Sequence, residues 1–578
     1  MSALAATTQV CDDRRSIVSD VLQTDQVKHM KWWGWGVEGV AFRHEDKPAL
    51  AAFILKAIGI DVTQPAIQPI AFSDLRVPPS ILDDGLRAHL VSAAGDDAVV
   101  TSDLDRVVHT YGKSLRDLLR LRGNQLPRVP DVVVYPADEW QVQSVLDAVM
   151  AAGAVLIPFG GGSNISGSLE PPPGEDRTVV SLDMGRMNRV LDVDEESGLA
   201  RIEAGALGPD LEAQLNERGW TCGHFPDSFT HSSIGGWVAT RSSGMQSDKY
   251  GDIADICRGV RVVQPGGVLV ARALPSTSTG PSVREMVLGS EGRLGIITEV
   301  TAQVHRQPEN REIQAYLFPT FDAGLQAMHD ISESDATPSI TRVSDAGETE
   351  FSFSTRKASA GLSKYVTKAM MAYLRQRGWD LDKLCLSFIG YEGGVGHVAR
   401  NKAIVARIVK HNGGIGIGKG PGVLYDQKKF DTPYIRDFLL DRGAAADVSE
   451  TAAPWSRLSD MYHGVFTAAQ DTFDRLGVHG WVMCHLSHSY HSGACLYFTF
   501  AFSHGDDAIA EYDAVKSTIQ SAFLDYDGTL SHHHAVGVEH APWLEQDISK
   551  PGVEMMKGLF KAVDPQHSLN PGKISGRD

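Results

Sequence analysis

Residues Leu530–Gly537 read LSHHHAVG, which sets His532, His533 and His534 side by side. Imidazole titrates near neutrality and can both donate and accept hydrogen bonds, so the triplet offers proton transfer, anion recognition or metal ligation. In extended backbone His532 and His534 share a face and His533 points away. No HExxH pattern or facial carboxylate set completes a metal site around them. A second group, CHLSHSYHSGAC over Cys484–Cys495, places His485, His488 and His491 three apart. It runs into a strand, where a spacing of three sends successive side chains to opposite faces. Convergent metal ligands are therefore not expected there, and no metal is assigned to either group.

Glycine-rich loops are the second chemical feature. Pro158, Gly160, Gly161, Gly162, Ser163 and Asn164 directly follow the apolar run AVLIPF. Glycines let backbone N–H groups approach a ligand and form an anion-binding nest. Ile165 stands where the third glycine of GxGxxG belongs, and no Lys-Ser/Thr follows, so neither the Rossmann nor the P-loop pattern is met. On its own the loop reads equally well as a tight turn. Two further clusters change that balance. Gly223–Ile253 carries Gly235, Gly236, Gly244 and Gly251 among Ser and Thr hydroxyls, and Leu288–Thr298 carries Gly289, Gly292 and Gly295 before an apolar strand. Three such loops in one half-chain point to a long, folded cofactor with a pyrophosphate. GGIGIGKGPG (Gly413–Gly422) follows a helical pattern instead and its lysine precedes Gly-Pro, so it reads as a helix terminus and flexible loop.

The elements that must position these groups are legible around them. PDVVVYP reads as a buried strand, followed by a helix with Asp138 as N-cap and Val142, Val145, Leu146 and Val149 at helical spacing. RTVVSLDM and LARIEAGA read as strands, LGPDLEAQLNERG as a helix, LCLSFIGYEG and CLYFTFAF as strands, and DAIAEYDAVKSTIQSAFL as a helix. The expected organisation is a helical and irregular N-terminal segment over 1–125, a cofactor domain over 126–308, a cap or substrate domain over 309–510, and a C-terminal segment over 511–578 that carries the histidine loop back. Trp32, Trp33 and Trp35 in HMKWWGWG are too irregular for a helix stripe and read as an interdomain anchor. Val366, Met370, Met371 and Leu374 form an apolar stripe in KYVTKAMMAYLRQRGW, more in keeping with plain core than with a membrane contact.

With 578 residues, 42% hydrophobic and 22% charged, the composition is that of a globular chain of two or three domains. A net charge of −18 argues against a nucleic-acid partner. Six scattered cysteines without CxxC spacing indicate neither a disulfide framework nor a zinc ribbon. No signal peptide, bilayer-spanning run or peroxisomal address is seen, so a cytoplasmic protein is expected.

The motifs IPFGGGSNISGSL, GHFPDSFTHSSIGGWVATRSSGM, LGSEGRLGIIT, SETAAPW, GACLYFTFAF and LSHHHAVG together resemble the alkyldihydroxyacetonephosphate synthase family. This is the ether-lipid branch of the vanillyl-alcohol oxidase, or p-cresol methylhydroxylase (PCMH)-type, flavoproteins, and the likeness runs from KWWGWGVEG to the C-terminus. It implies an α+β fold, with a two-subdomain PCMH-type FAD-binding domain and an α/β cap over the flavin. It implies FAD held by Pro158, Gly160, Gly161, Gly162, Ser163, Asn164, His224, Asp227, Ser228, Ser233, Gly235, Gly236, Ser243, Gly244, Tyr250, Glu291, Gly292 and Ile297. The implied reaction replaces the acyl group of acyl-dihydroxyacetone phosphate by a long-chain alcohol, without net redox, through a flavin N5 adduct. Arg342, Arg436 and His533 would bind the substrate phosphate, with Arg436, Tyr497, His532, His533 and His534 as the catalytic set. A homodimer with peripheral membrane contact is also expected. An FAD-dependent dehydrogenase or oxidase of a 2-hydroxy acid or alcohol is the alternative, sharing the loops and NPGKI. Ser163-Asn164 departs from the family's usual Thr-Ser, and His485, His488 and His491 stand where eukaryotic synthases mostly carry other polar residues.

Overall fold

Val132, Val133 and Val134 are all fully buried, as β-branched residues are in a strand covered on both faces. In the computed structural model, which describes Val27 and residues 29–357, 362–428 and 430–576, they form β2 (Val132–Val134) of a four-stranded sheet. Cys11 and the start of the N-terminal segment lie outside the described residues. The strand order is β1 (Val99–Val100), β2, β4 (Val179–Asp183), β3 (Val155–Phe159). β2, β4 and β3 run parallel, and the Glu139–Ala151 helix supplies the crossover. Asp138 caps that helix by accepting the Gln141 N–H, and Val142, Val145, Leu146 and Val149 bury its inner face. β1 pairs antiparallel with β2, so this sheet begins before residue 126.

A second sheet is antiparallel throughout, in the order β5 (Val190–Asp194), β6 (Leu199–Glu203), β10 (Ile296–Gln303), β8 (Cys257–Gln264), β9 (Gly267–Ala271). Nearby, β7 (Trp220–Thr221) pairs with β11 (His305–Arg306).

The third sheet has seven strands: β15 (Ile415–Gly418), β12 (Asn310–Phe318), β14 (Cys385–Gly393), β13 (Ile340–Ser344), β17 (Gly480–Ser489), β18 (Gly493–Ser503) and β16 (Ala444–Pro454). Helices and strands alternate along the chain as expected, yet every pairing is antiparallel. Period-2 alternation explains how this sheet serves two purposes. On β18, Leu496, Phe498, Phe500 and Phe502 are fully buried against the Phe321–Ser332, Leu458–Leu476 and Ala508–Asp525 helices. The intervening Tyr497, Thr499 and Ala501 face a cavity on the other side. The Gly413–Gly422 run, expected as a flexible loop, instead supplies edge strand β15, because Ile415 and Ile417 alternate into the apolar layer beneath.

The chain's last described elements close the first sheet. Asn570 N–H donates to the Leu156 carbonyl, and its side chain donates to the carbonyls of Ser168 at 2.9 Å and Glu291 at 2.6 Å. Lys573 Nζ, wholly buried, donates to the Glu170 carbonyl. Trp32 packs into the helical core, whereas Trp35 reaches the cavity wall. In the Leu362–Gln376 helix, Leu374 is core and Met370 and Met371 line the cavity, while the Val366 side chain lies outside the described ones.

Candidate active site

The cavity, about 1600 Å³, lies between the three glycine loops and the open face of the seven-stranded sheet. A single drug-sized ligand takes roughly 300–1,000 Å³, so there is room for more than one molecule. The loops meet backbone to backbone. A Cβ on Gly161 would sit 1.8 Å from the His231 carbonyl oxygen, and one on Gly292, at φ 81°, would sit 3.0 Å from Pro158. Side chains at these positions would push the loops apart.

Of the residues expected along the cofactor, Pro158, Gly160, Gly161, Gly162, Ser163, Asn164, Asp227, Ser228, Ser233, Gly235, Gly236, Ser243, Gly244, Glu291, Gly292 and Ile297 all line the cavity. His224 and Tyr250 are not on its wall. His224 bonds Ser242 Oγ through Nε2 and packs on Trp237, behind the loop. Tyr250 donates to Glu392 at 2.6 Å, tying the second loop to the cap. Glu291 reaches the wall, but its carboxylate is taken up by Ser168 Oγ and the N–H groups of Val536 and Gly537.

Two buried carboxylates therefore hold the histidine loop. At its front, Glu450 on β16 accepts from Ser531 Oγ at 2.7 Å and from the backbone N–H groups of His532, His533 and His534. At its rear, Glu291 holds Val536 and Gly537, which follow the left-handed Ala535 at φ 74°. Burial alone would raise the Glu450 pKa, but the neighbouring His533, His534 and His532 and the backbone donors hold it well below the carboxylate range. Burial pushes His533 down to about 3 and His534 to about 4, so both are neutral near neutrality. With the imidazoles neutral, the four N–H and O–H donors are what keep Glu450 charged.

The hydrogen bonds of the loop run in one direction. Tyr490 O–H donates to Asp252, an ionised acceptor, at 2.8 Å, so His532 Nε2–H must donate to the Tyr490 oxygen at 2.6 Å. His532 Nδ1 then accepts from His533 Nδ1–H at 2.8 Å, which leaves His533 Nε2 as an acceptor. His532 accordingly sits one step back, while His533 and His534 line the cavity. Glu450, Cys495, His532 and His533 bring ligand atoms within 4.8 Å of one another. Both Glu450 oxygens are already engaged, and burial followed by Glu450 itself holds the Cys495 thiol protonated, so this group is poorly prepared for an ion.

Beside the loop, Tyr497 is flanked by two rings, stacked on His485 at 4.9 Å and on His533 at 6.0 Å. Its hydroxyl lines the cavity with no partner among the described residues, and burial, then Asp227 and Glu450, raise its pKa well above the usual phenol value. Arg342 donates to Glu348 at 2.5 Å. Arg436 approaches Asp447 at 3.9 Å, with its buried Nε lacking a hydrogen-bond partner among the described residues. Both arginines line the cavity.

Sequence reasoning missed several of these groups. His485 and His488 both line the cavity, against the expectation that a spacing of three would separate them. A β-bulge between Leu486 and His488 inserts the extra residue that brings His488 back to the same face. Glu450 and Glu348 carried no signal beyond their strand and helix contexts, although Glu450 sits within the SETAAPW motif.

The wall fits a long polar cofactor with an anionic partner. Ser487 Oγ, His488 Nδ1, His534 Nδ1, Arg436 Nε and Asn570 Oδ1 are buried in residues that line the cavity and have no hydrogen-bond partner among the described residues. Comparisons with known proteins agree. A family described as FAD binding domain matches residues 130–271, and one described as FAD linked oxidases, C-terminal domain, matches 307–574. An alkyldihydroxyacetonephosphate synthase from Dictyostelium discoideum is 36% identical, over 95% of this chain and 94% of that protein. A solved alkyldihydroxyacetonephosphate synthase structure superposes with a TM-score of 0.83 at 34% identity, covering 94% of this chain and 98% of that one. Substrate-bound p-cresol methylhydroxylase, at 16% identity and a TM-score of 0.64 over 87% of this chain and 99% of that one, shares the fold. The chain is thus a PCMH-type, FAD-dependent enzyme that belongs to the alkyldihydroxyacetonephosphate synthase family.

Proposed function

We propose that the protein exchanges the acyl group of acyl-dihydroxyacetone phosphate for a long-chain alcohol, forming an ether bond without net redox. The observation that carries this reading is a cavity with two unlike kinds of wall. Its wall carries Arg342, Arg436, His533, His534 and Tyr497 as well as apolar side chains such as Phe351, Met370, Met371 and Met483, and its sheet floor grades from the His485–Tyr497 row to the Met483–Thr499 and Trp481–Ala501 rows. A phosphorylated head with a long alkyl tail matches both.

In this reading the glycine loops at 160–164, 235–236 and 292 hold FAD, whose ring supplies, when bound, a nucleophilic nitrogen and a reversible electron sink. The two arginines fix the phosphate with charge-assisted bonds. Tyr497, protonated, and His533, an acceptor at Nε2, stand ready to give and take protons at the reacting carbon. The two rings are stacked with centroids 6.0 Å apart, which places both groups on the same stretch of the cavity wall.

A homodimer in the cytoplasm with peripheral membrane contact belongs to the same proposal. No helix of the described residues is long and apolar enough to cross a membrane. Val423 and Leu424, 54% and 52% exposed, sit beside cavity-lining Pro421 and Tyr425 and would suit contact with a lipid surface.

The test is anaerobic incubation of the flavoprotein with palmitoyl-dihydroxyacetone phosphate and hexadecanol, with mass spectrometry of released palmitate and ether product. Ether formation in the absence of an electron acceptor is expected. Absence of ether product together with flavin bleaching by a hydroxy acid would overturn the reading in favour of oxidation.

A further inference from the structure

His485 and Glu348 form a carboxylate–imidazole pair on the cavity wall. His485 Nδ1 lies 2.8 Å from Glu348 Oε2, and Arg342 holds the other carboxylate oxygen. Burial opposes charge on Glu348, but His485 and Arg342 outweigh it and bring its pKa to about 2. An ionised Glu348 can only accept and, at 2.8 Å, is nearer to Nδ1 than the Arg342 guanidinium at 3.1 Å, so the imidazole proton is assigned to Nδ1 and Nε2 carries the lone pair. Nε2 has no hydrogen-bond partner among the described residues, and His485 lines the cavity.

The register of the sheet floor says what would reach that lone pair. Cross-strand rows on β17, β18 and β16 run His485–Tyr497–Glu450, then Met483–Thr499–Val448, then Trp481–Ala501–Ala446. The floor therefore grades from titratable to apolar in two steps of two residues. An alkyl chain lying along the outer rows presents its terminal hydroxyl at the first row, and His485 is the group on β17 that it meets there.

We infer that His485, oriented by Glu348, is the base that removes the hydroxyl proton of the incoming alcohol. This rests on the proposed ether-forming reaction. The alcohol O–H bond breaks and an N–H bond forms at Nε2, while the alcohol oxygen supplies the electron pair for the new C–O bond. The C–O bond to the acyl group breaks with its pair leaving on the fatty carboxylate, and the imidazolium passes its proton to water. No electrons are gained or lost overall.

The groups facing His485 set its behaviour. Arg342 on β13, Glu348 on the Ala346–Ser354 helix, Asp227 from the second glycine loop, Tyr497 on β18 and His488 on its own strand surround it. Burial first, then Arg342, lower its pKa, against the opposing pull of Glu348 and Asp227, so it is neutral and able to accept at neutral pH.

The test uses purified holoenzyme and two readouts. Labelled palmitate exchanging into palmitoyl-dihydroxyacetone phosphate enters as a carboxylate and offers no hydroxyl proton, whereas hexadecanol does. H485Q is expected to lose ether formation by about 100-fold or more, while keeping palmitate exchange within threefold of wild type. E348Q keeps the imidazole but loses the ionised acceptor. It should move the acidic limb of the rate with alcohol to lower pH, an effect that simple disruption of the site would not produce. Ether formation by H485Q within fivefold of wild type, parallel loss of both reactions, or an unmoved limb in E348Q would overturn the inference. If wild type itself makes no ether, the proposed reaction fails and the inference goes with it.

Discussion

The polar head and the apolar tail of the cavity wall are built on opposite principles. At the head, directional bonds fix each group: Glu450 receives four donors, Glu291 receives three, and the Asp252–Tyr490–His532–His533 relay has one proton arrangement. At the tail, Met370, Met371, Met483 and Phe351 make contacts that have area but no direction. The difference teaches where this protein places precision: in the proposed reaction buried charge would fix the groups at the reacting atoms, and a deformable apolar wall would take the alkyl chain. Methionine, unbranched and polarizable, suits a wall that takes chains of varied shape.

The comparison is broken most directly at Glu450. E450A leaves three backbone N–H groups and the Ser531 hydroxyl unpaired in a buried place, each costing about 1–3 kcal/mol where water cannot reach. A stability loss of about 3 kcal/mol or more by urea unfolding, with ether formation down by about 100-fold, is expected. A fully active E450A would show that the loop holds its own shape. E291Q keeps an acceptor oxygen and is expected to lose less, about 1–2 kcal/mol, with weaker flavin retention.

Acid should act on the head rather than on the tail. His533 and His534, near 3 and 4 in the fold, have ordinary values of 6.5, so the unfolded chain binds more protons than the native one between those limits. Stability contributed by their neutral forms is full above about pH 6.5 and declines as pH falls toward 4. Urea unfolding at pH 7.5 and pH 5 measures the drop, and H534N should lessen it.

The smallest effect is expected at the tail. M483L conserves volume and should cost under about 1.5 kcal/mol, with activity on hexadecanol within about twofold. Its alcohol chain-length preference should shift instead, since each buried methylene contributes about 0.8 kcal/mol, or about fourfold in affinity. Assaying alcohols of twelve to eighteen carbons measures this.

What could be read in the sequence was local periodicity and the presence of chemistry-bearing loops. The valine strand, the Asp138-capped helix and the glycine runs announce themselves over a few residues. The clamps on the histidine loop do not, because Glu450 and His533 are 83 residues apart and Glu291 and Gly537 are 246 apart. The bulge at Leu486–His488 was invisible for a different reason: strict alternation is the rule that it breaks. Gly413–Gly422 misled in the opposite sense, since glycine abundance hid two isoleucines alternating as an edge strand.

The bonds from Asn570 and Lys573 to the carbonyls of Ser168, Glu291 and Glu170 set an order of events for a nascent chain. While a ribosome is still making residues 168 to 530, the first glycine loop exists but neither its histidine lid nor its C-terminal brace does. A flavin arriving then would meet an open groove with unsatisfied carbonyls along one side. On this geometry the brace across the first and third glycine loops is complete only once residue 573 has emerged and folded back, so a flavin held by those loops would be secured last.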